Sequence, residues 1–248
     1  MAEILLKDGE RINQLFSTDV KIIQNREVFS YSVDSVLLSR FPNLPKRGLI
    51  VDLCAGNGAV GLFASTRTQA QIIAVEIQER LADMAQRSIE LNNLTSQMQV
   101  IQDDLKYLTR YISGSKVDMI LCNPPYFKVD EHSNLNASRH YLLARHEIAT
   151  NLEEICQISQ RVLKSNGRLT MVHRPERFLD IIETMTAHNL APKRIQFVYP
   201  KANRKANMLL IEAIKDGSRD GLKILPPLFI HNEDGSYTPE IHEIYYGN

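Results

Sequence analysis

Residues 49–61 read Leu-Ile-Val-Asp-Leu-Cys-Ala-Gly-Asn-Gly-Ala-Val-Gly. An apolar run breaks into glycines and resumes with helical spacing, which predicts a strand, a tight turn and a helix start. Glycine at 56 and 58 permits positive φ and lets a ligand come close to the backbone. The first amides of the following helix point outward without partners, so a nucleotide-like ligand suits the turn.

Two ligand classes fit. Gly56-x-Gly58-x-x-Gly61 satisfies the dinucleotide fingerprint, which leaves an NAD-dependent dehydrogenase as one reading. Asp52, inside the strand ahead of the turn, favours the other: its carboxylate would repel a pyrophosphate and suit a ligand carrying an ammonium and a sulfonium, as S-adenosylmethionine does. The plainer alternative is that Asp52 only accepts backbone hydrogen bonds from the turn.

Outward from this stretch the pattern alternates. Strands are predicted at 49–53, 71–75, 98–102, 117–122 and 167–173, and helices near 58–66, 78–92, 104–111 and 151–164. Such alternation gives an α/β fold, a mostly parallel sheet with helices on both faces. Upstream, 11–29 reads as a small hairpin. A helix follows from Ser32, its predicted N-cap, with Val33, Val36, Leu37 and Phe41 on one face and Pro42 as its stop. After Pro175 come a helix to about His188 and strand-like stretches at 194–199 and 206–214, for seven strands in all. The tail from Leu222, with Pro226-Pro227 and Glu233-Asp234-Gly235, reads as a further small hairpin. One domain over 1–248 is expected, with an N-terminal hairpin and helix at 1–41, a core at 49–214 and an extension at 222–248.

Composition excludes several classes. No apolar stretch approaches the roughly 20 residues a membrane helix needs. The N-terminus lacks the basic start and cleavage site of a secretory leader, so a cytoplasmic location is expected. Cys54, Cys122 and Cys156 are odd in number and unclustered, which argues against disulfides and structural zinc and for small buried side chains. Lysine plus arginine number 29 and aspartate plus glutamate 29, so any nucleic-acid contact must come from a local patch.

Ligands of such sheets sit beyond the carboxyl ends of the strands. After the second strand comes Glu76, able to accept both hydroxyls of a ribose. After the third come Asp103 and Asp104, able to accept from an adenine amine, although Asp104 could equally cap the next helix. After the fourth comes Asn123-Pro124-Pro125-Tyr126. An exocyclic or amide nitrogen is a poor nucleophile because its lone pair is delocalised. The Asn123 side-chain oxygen and the Pro124 carbonyl are two acceptors for its two N–H bonds, and consecutive prolines hold the carbonyls in place. Tyr126 offers a ring for a planar group to stack on.

With these motifs the chain resembles the class I S-adenosylmethionine-dependent methyltransferases that carry Asn-Pro-Pro-Tyr, from about Ser30 to Ile214. Within them it is most similar to the bacterial tRNA (adenine-N6)-methyltransferases acting on valine tRNA, through Phe127 after the motif and the 29–38 stretch Phe-Ser-Tyr-Ser-Val-Asp-Ser-Val-Leu-Leu. The resemblance implies a Rossmann-like class I fold. It implies cofactor contacts from Ser32, Asp34, Asp52, Ala55, Gly56, Asn57, Gly58, Glu76, Ile77, Asp103 or Asp104, and Asn123. It places the target base on Asn123, Pro124 and Tyr126, flanked by Pro125 and Phe127, in the adenine beside the anticodon.

The stretch 127–150 holds Lys128, His132, Arg139, His140, Arg145 and His146. Its histidines lack matched ligand spacing, so no metal is expected. With Lys193, Arg194, Lys201, Arg204 and Lys205 it could form a basic rim for tRNA, Arg139, Arg145, Arg204 and Lys205 being the leading contacts. Two other readings stay open. A release-factor-type glutamine methyltransferase would share the motif, but carries a helical domain ahead of the core where the 48 residues here read partly as hairpin. A non-catalytic nucleotide-binding module would not need Asn123-Pro-Pro-Tyr.

Overall fold

A computed structural model describes residues 6–15, 18–25, 32–124 and 152–246. Strands β1 (Glu10–Gln14) and β2 (Lys21–Asn25) pair antiparallel, Glu10 opposite Asn25, as the small N-terminal hairpin. Helix α1 (Val33–Arg40) follows. Ser32 holds the N-cap position in extended backbone, but its side chain makes no capping hydrogen bond, contrary to expectation.

The core then runs β3 (Leu49–Leu53), α2 (Ala59–Ser65), β4 (Gln71–Glu76), α3 (Glu79–Leu91), β5 (Met98–Gln102), a 3₁₀ turn at Leu105–Arg110, and β6 (Val117–Cys122). Next come α4 (Leu152–Val162), β7 (Leu163–His173), α5 (Phe178–Ala187), β8 (Leu190–Tyr199) and β9 (Met208–Lys215). Two-residue strands β10 (Lys223–Ile224) and β11 (Leu228–Phe229) and helix α6 (Pro239–Tyr246) form the extension.

The sheet order is β10-β8-β9-β7-β6-β3-β4-β5, with β11 also on β8. The sheet has nine strands rather than the expected seven, because the two-residue β10 and β11 of the tail add parallel to β8; β3 to β7 are parallel and β9 runs against both β7 and β8. The order reverses between β3 and β6, and a crevice opens at such a reversal beyond the strand ends. Both faces are covered. Alternate strand residues Ile50, Ile72, Ala74, Met119 and Leu121 pack with α1 and α2 on one side. Val51, Ile73, Val75, Ile120 and Cys122 pack with α4, α5 and the 3₁₀ turn on the other. Burial on both faces is why the strands read as continuous apolar runs.

Four stretches differ from expectation, the first being β7, which begins at Leu163 rather than 167 because the helix before it ends at Val162. Residues 105–110 form a 3₁₀ turn, not an α-helix, capped by Asp104 accepting from the Lys106 amide at 3.0 Å. Strand β8 begins at Leu190 rather than 194; Pro192 interrupts it with a register shift against β9, and a proline inside a strand hides its start. The tail is not a simple hairpin: a single antiparallel bridge joins His231 and Tyr237, and α6 follows. Thr238 ahead of Pro239, with Ile241 and Tyr245 buried four apart, is the start signal and core face that would have revealed this helix.

The hairpin is fixed to α3. The Ile23 amide donates to Ser88 Oγ at 3.0 Å, and Asn92 closes on both backbone groups of Lys21. Arg87 grips the Glu10 carboxylate with two nitrogens at 2.7 and 2.6 Å.

Candidate active site

The turn after β3 is built from positive φ at Cys54 (57°), Gly56 (57°) and Gly58 (82°). For cysteine this conformation is uncommon, and the surroundings hold it: the next amide, Ala55, donates to the Val75 carbonyl at 3.0 Å. Nothing in the sequence marked Cys54 as strained. Gly58 is the N-cap of α2, and a Cβ there would lie 3.1 Å from the Ala85 Cβ of α3. At Gly61 a Cβ would sit 2.5 Å from the end of Met98, so glycine lets α2 lie close on the sheet.

The acids form part of this turn. Asp52 is 0% exposed, and its Oδ2 accepts from the Gly61 amide at 2.9 Å. Its plainer role, as backbone acceptor beneath the turn, is thus the observed one. Glu76 accepts from the Gly56 amide through Oε2 and from Gln78 through Oε1, both at 2.8 Å. Asn57, fully buried, donates to the Ile23 carbonyl at 3.0 Å and so joins the turn to the hairpin. Burial pushes the Asp52 carboxyl up to about 7; the Glu76 charge adds to this and the Gly61 amide opposes it. Burial likewise raises Glu76.

Asp52 Oδ1 and Asn57 Oδ1 are buried acceptors without a hydrogen-bond partner. Two buried carboxylates, one with an unused oxygen, suit a cation and oppose an anion, so this turn fits a sulfonium ligand and disfavours a pyrophosphate. Each Glu76 oxygen takes one amide hydrogen and keeps capacity for a ribose hydroxyl. Ile77, beside it, is 43% exposed. At the end of β5, Asp103 accepts from the Tyr111 hydroxyl at 2.8 Å and from the Asp104 amide. Asp104, besides capping, pairs with Lys106 Nζ at 2.7 Å.

Asn123 leaves the end of β6, where Leu53 lies opposite Cys122, beside the glycine turn. It is half-buried, Pro124 is buried, and Asn123 Nδ2 donates to Ser35 Oγ of α1 at 3.4 Å. Ser35 was not singled out in the sequence. Asp34 is half-buried and Ser32 exposed at the start of α1. The sheet therefore brings together Asp52, Ala55–Gly58, Glu76, the Asp103 pair and Asn123. Pro125, Tyr126, Phe127, Arg139, Arg145, Lys128 and the three histidines of 127–150 lie outside the described residues.

Arg204 and Lys205 are exposed on the loop from β8 to β9. β8 runs parallel to β7, so this loop is at the same end of the sheet as Asn123. Lys193 and Arg194 do not join that rim. They sit near the start of β8, Lys193 donating to the Ser218 and Asp220 carbonyls and Arg194 lying over the Phe41 ring and beside Glu212 at 3.5 Å. Among the described residues no group of three or more His, Cys, Asp or Glu could hold a metal ion, and no helix is long and apolar enough to cross a membrane.

Solved structures share this fold. One described as a predicted O-methyltransferase of Agrobacterium tumefaciens has a TM-score of 0.69 at 23% identity, covering 87% of this chain and 96% of that one. Geranyl diphosphate C-methyltransferase of Streptomyces coelicolor A3(2), solved with S-adenosyl-L-homocysteine, has a TM-score of 0.53 at 13% identity, covering 72% and 73%. Among curated relatives, a tRNA1(Val) (adenine(37)-N6)-methyltransferase of Shewanella sp. (strain MR-7) is 26% identical over 214 residues, 86% of this chain and 89% of its own. The protein of that name from Bacteroides fragilis (strain YCH46) is 27% identical over 214 residues, with 86% and 89% covered. The Methyltransferase small domain family matches residues 19–189, and with the glycine turn, the buried acids and Asn123-Pro124 all inside that span, the chain belongs to this family of methyltransferases.

Proposed function

We propose that the chain is an S-adenosylmethionine-dependent methyltransferase that modifies the exocyclic N6 amine of an adenine in tRNA, next to the anticodon of valine tRNA. The observation that carries this reading is the position of Asn123 and Pro124: they leave β6 where the strand order reverses, beside the glycine turn. The names of the relatives supply the RNA and the nucleotide.

When bound, S-adenosylmethionine supplies an electrophilic methyl group. The glycine turn and Glu76 would hold its nucleoside, with Asp103 or Asp104 toward the adenine amine and Ile77 against its ring. Ser32 and Asp34 border the same site from α1. Asp52 acts from below, fixing the turn and contributing charge. Asn123 Oδ1 and the Pro124 carbonyl accept the two N–H bonds of the target amine, which turns its lone pair out of the ring system. Tyr126 stacks on the base, Pro125 and Phe127 shape its pocket, and Arg139, Arg145, Arg204 and Lys205 meet phosphates. An adenine paired in a duplex cannot offer both edge and face, whereas an unpaired loop base can be splayed into the site. The hairpin, the core and the C-terminal extension work as one unit, in the cytoplasm where tRNA is found.

The test incubates labelled cofactor with unmodified tRNA, duplex DNA and release factor in parallel. Label is expected in the tRNA, as N6-methyladenosine. Label in release-factor glutamine and none in RNA would transfer the assignment to the protein-modifying class.

A further inference from the structure

We propose that the 3₁₀ turn after β5 is a second RNA-contact surface, where Arg110 grips a phosphate of the substrate tRNA and the exposed ring of Tyr111 stacks a base. This deepens the reading of the chain as a tRNA methyltransferase and rests on it. The turn has two faces. Leu105, Leu108 and Ile112 are buried in the core, which fixes the other face outward. That face carries Lys106, Tyr107, Arg110 and Tyr111, all exposed, with Tyr111 at 54%.

Its place in the fold suits a substrate held at Asn123. Strands β5, β4, β3 and β6 are parallel, so the turn leaves the sheet at the same end as Asn123. It is three places from β6 in the strand order, roughly 14 Å at the usual strand spacing. The loop with Arg204 and Lys205 follows β8, three places away on the opposite side. A loop base splayed into the site has chain leaving it in two directions, and the two flanks together can hold both.

The chemistry is that of nucleic-acid contact. Side chains three apart on a 3₁₀ turn eclipse, and the Arg110 guanidinium lies over the Tyr107 ring at 3.9 Å. Stacking uses the flat face of the guanidinium and none of its in-plane N–H donors. Arg87 and Arg177 spend theirs on carboxylates and Arg174 donates to a carbonyl, whereas those of Arg110 meet no such group among the described residues. A preordered fork of this kind matches a phosphate. Lys106 is already engaged, paired with Asp104 at 2.7 Å and facing Glu154. The Tyr111 hydroxyl donates to Asp103 at 2.8 Å, which fixes the ring, and no aromatic ring covers it among the described residues. A fixed, open ring is a stacking platform for any base.

The test is binding of unmodified tRNA by the full chain at several salt concentrations, with steady-state kinetics beside it. Arg110→Glu should raise the KM for tRNA about tenfold and lower the slope of log affinity against log salt by about 1, with S-adenosylmethionine Kd and kcat at saturating RNA within about twofold of the parent. Tyr111→Ala should weaken tRNA binding about tenfold with the salt slope unchanged, because stacking releases no counterions, and Tyr111→Phe, which keeps the ring, should bind tRNA like the parent. If the ring serves only to hold Asp103, both Tyr111 variants would weaken the cofactor alike and leave tRNA affinity unchanged, which overturns the stacking role. Parental tRNA affinity and salt slope in Arg110→Glu would overturn the phosphate contact. Loss of release-factor binding by that variant, with tRNA binding intact, would give this face to a protein and overturn the surface. A parent chain that binds no tRNA would overturn the functional reading itself, and the surface with it.

Discussion

At the level of single residues, Asp52 holds the most telling conflict between stability and use. Its carboxyl moves from the ordinary 3.8 to about 7 because it is wholly buried, with Glu76 nearby. The native state therefore binds this proton more tightly than the unfolded chain does. Its contribution to stability is greatest below about pH 4, declines as the pH rises, and levels off above about 7. His173, buried at the end of β7, runs the other way: burial lowers it to about 4, so its contribution is lost as the pH falls from about 6.5 toward 4. Asp52→Asn keeps an oxygen for the Gly61 amide and removes the buried charge. It should raise the melting temperature at pH 8, by the equivalent of about 1–4 kcal/mol, while weakening S-adenosylmethionine binding. Thermal scans from pH 4 to 8 beside calorimetric titration would show this, and an unchanged melting temperature at pH 8 counts against a strained Asp52. Glu76, raised by burial like Asp52, differs in receiving two amides, those of Gly56 and Gln78. Glu76→Ala should leave the buried Gly56 amide and the part-buried Gln78 amide unmatched and raise the cofactor Kd on the order of 10- to 100-fold. That these acids matter was legible from their places at strand ends. That they hold the turn from beneath was not, because the Gly61 amide that Asp52 meets becomes its neighbour only when α2 folds back over β3.

Elements were legible where burial imposes a period. The strands around 49–53, 71–75 and 117–122 appear within about a residue of expectation because packing on two faces demands unbroken apolar runs. Where structure depends on a partner distant in sequence, the reading stopped short. The ties that hold β1 and β2 to α3 link residues far apart, and the sequence gives no sign that Arg87 belongs to Glu10. That pair is nearly buried, with side-chain exposures of 13% and 0%, and Arg87 also pairs with Asp83 one helical turn earlier. Arg87→Leu would leave the Glu10 carboxylate buried without its partner, at a cost of about 3 kcal/mol. The loss should reach the site as well, since Asn57 in the glycine turn donates to Ile23 of the hairpin. Hydrogen exchange should quicken across 21–25, the melting temperature should fall, and cofactor affinity should drop. Retained protection of 21–25 would show that the other α3 contacts suffice to hold the hairpin.

Across the whole molecule, zero net charge decides how a polyanion can be held. Long-range attraction is weak, and much of the positive charge near the active-site edge is already used within the fold. Arg174 donates to the Asn207 carbonyl, Arg177 pairs with Asp180, and Lys201 donates to the Glu233 carbonyl. Arg204 and Lys205 are exposed at that same edge, two strands and more from Asn123, a spacing that suits contact with phosphates flanking a splayed base rather than with the base itself. Each phosphate contact contributes about 0.7–0.9 to the slope of log affinity against log salt, so tRNA binding should weaken with salt only gently. Replacing both by glutamate should raise the KM for tRNA about tenfold and lower the slope by about 1–2, with S-adenosylmethionine affinity and kcat at saturating RNA unchanged. Filter binding of tRNA at several salt concentrations, run on both proteins, separates the outcomes. A double variant whose tRNA affinity and salt slope match the parent would remove this loop from the RNA path and leave 127–150, with Arg139 and Arg145, as the surface that grips the anticodon arm.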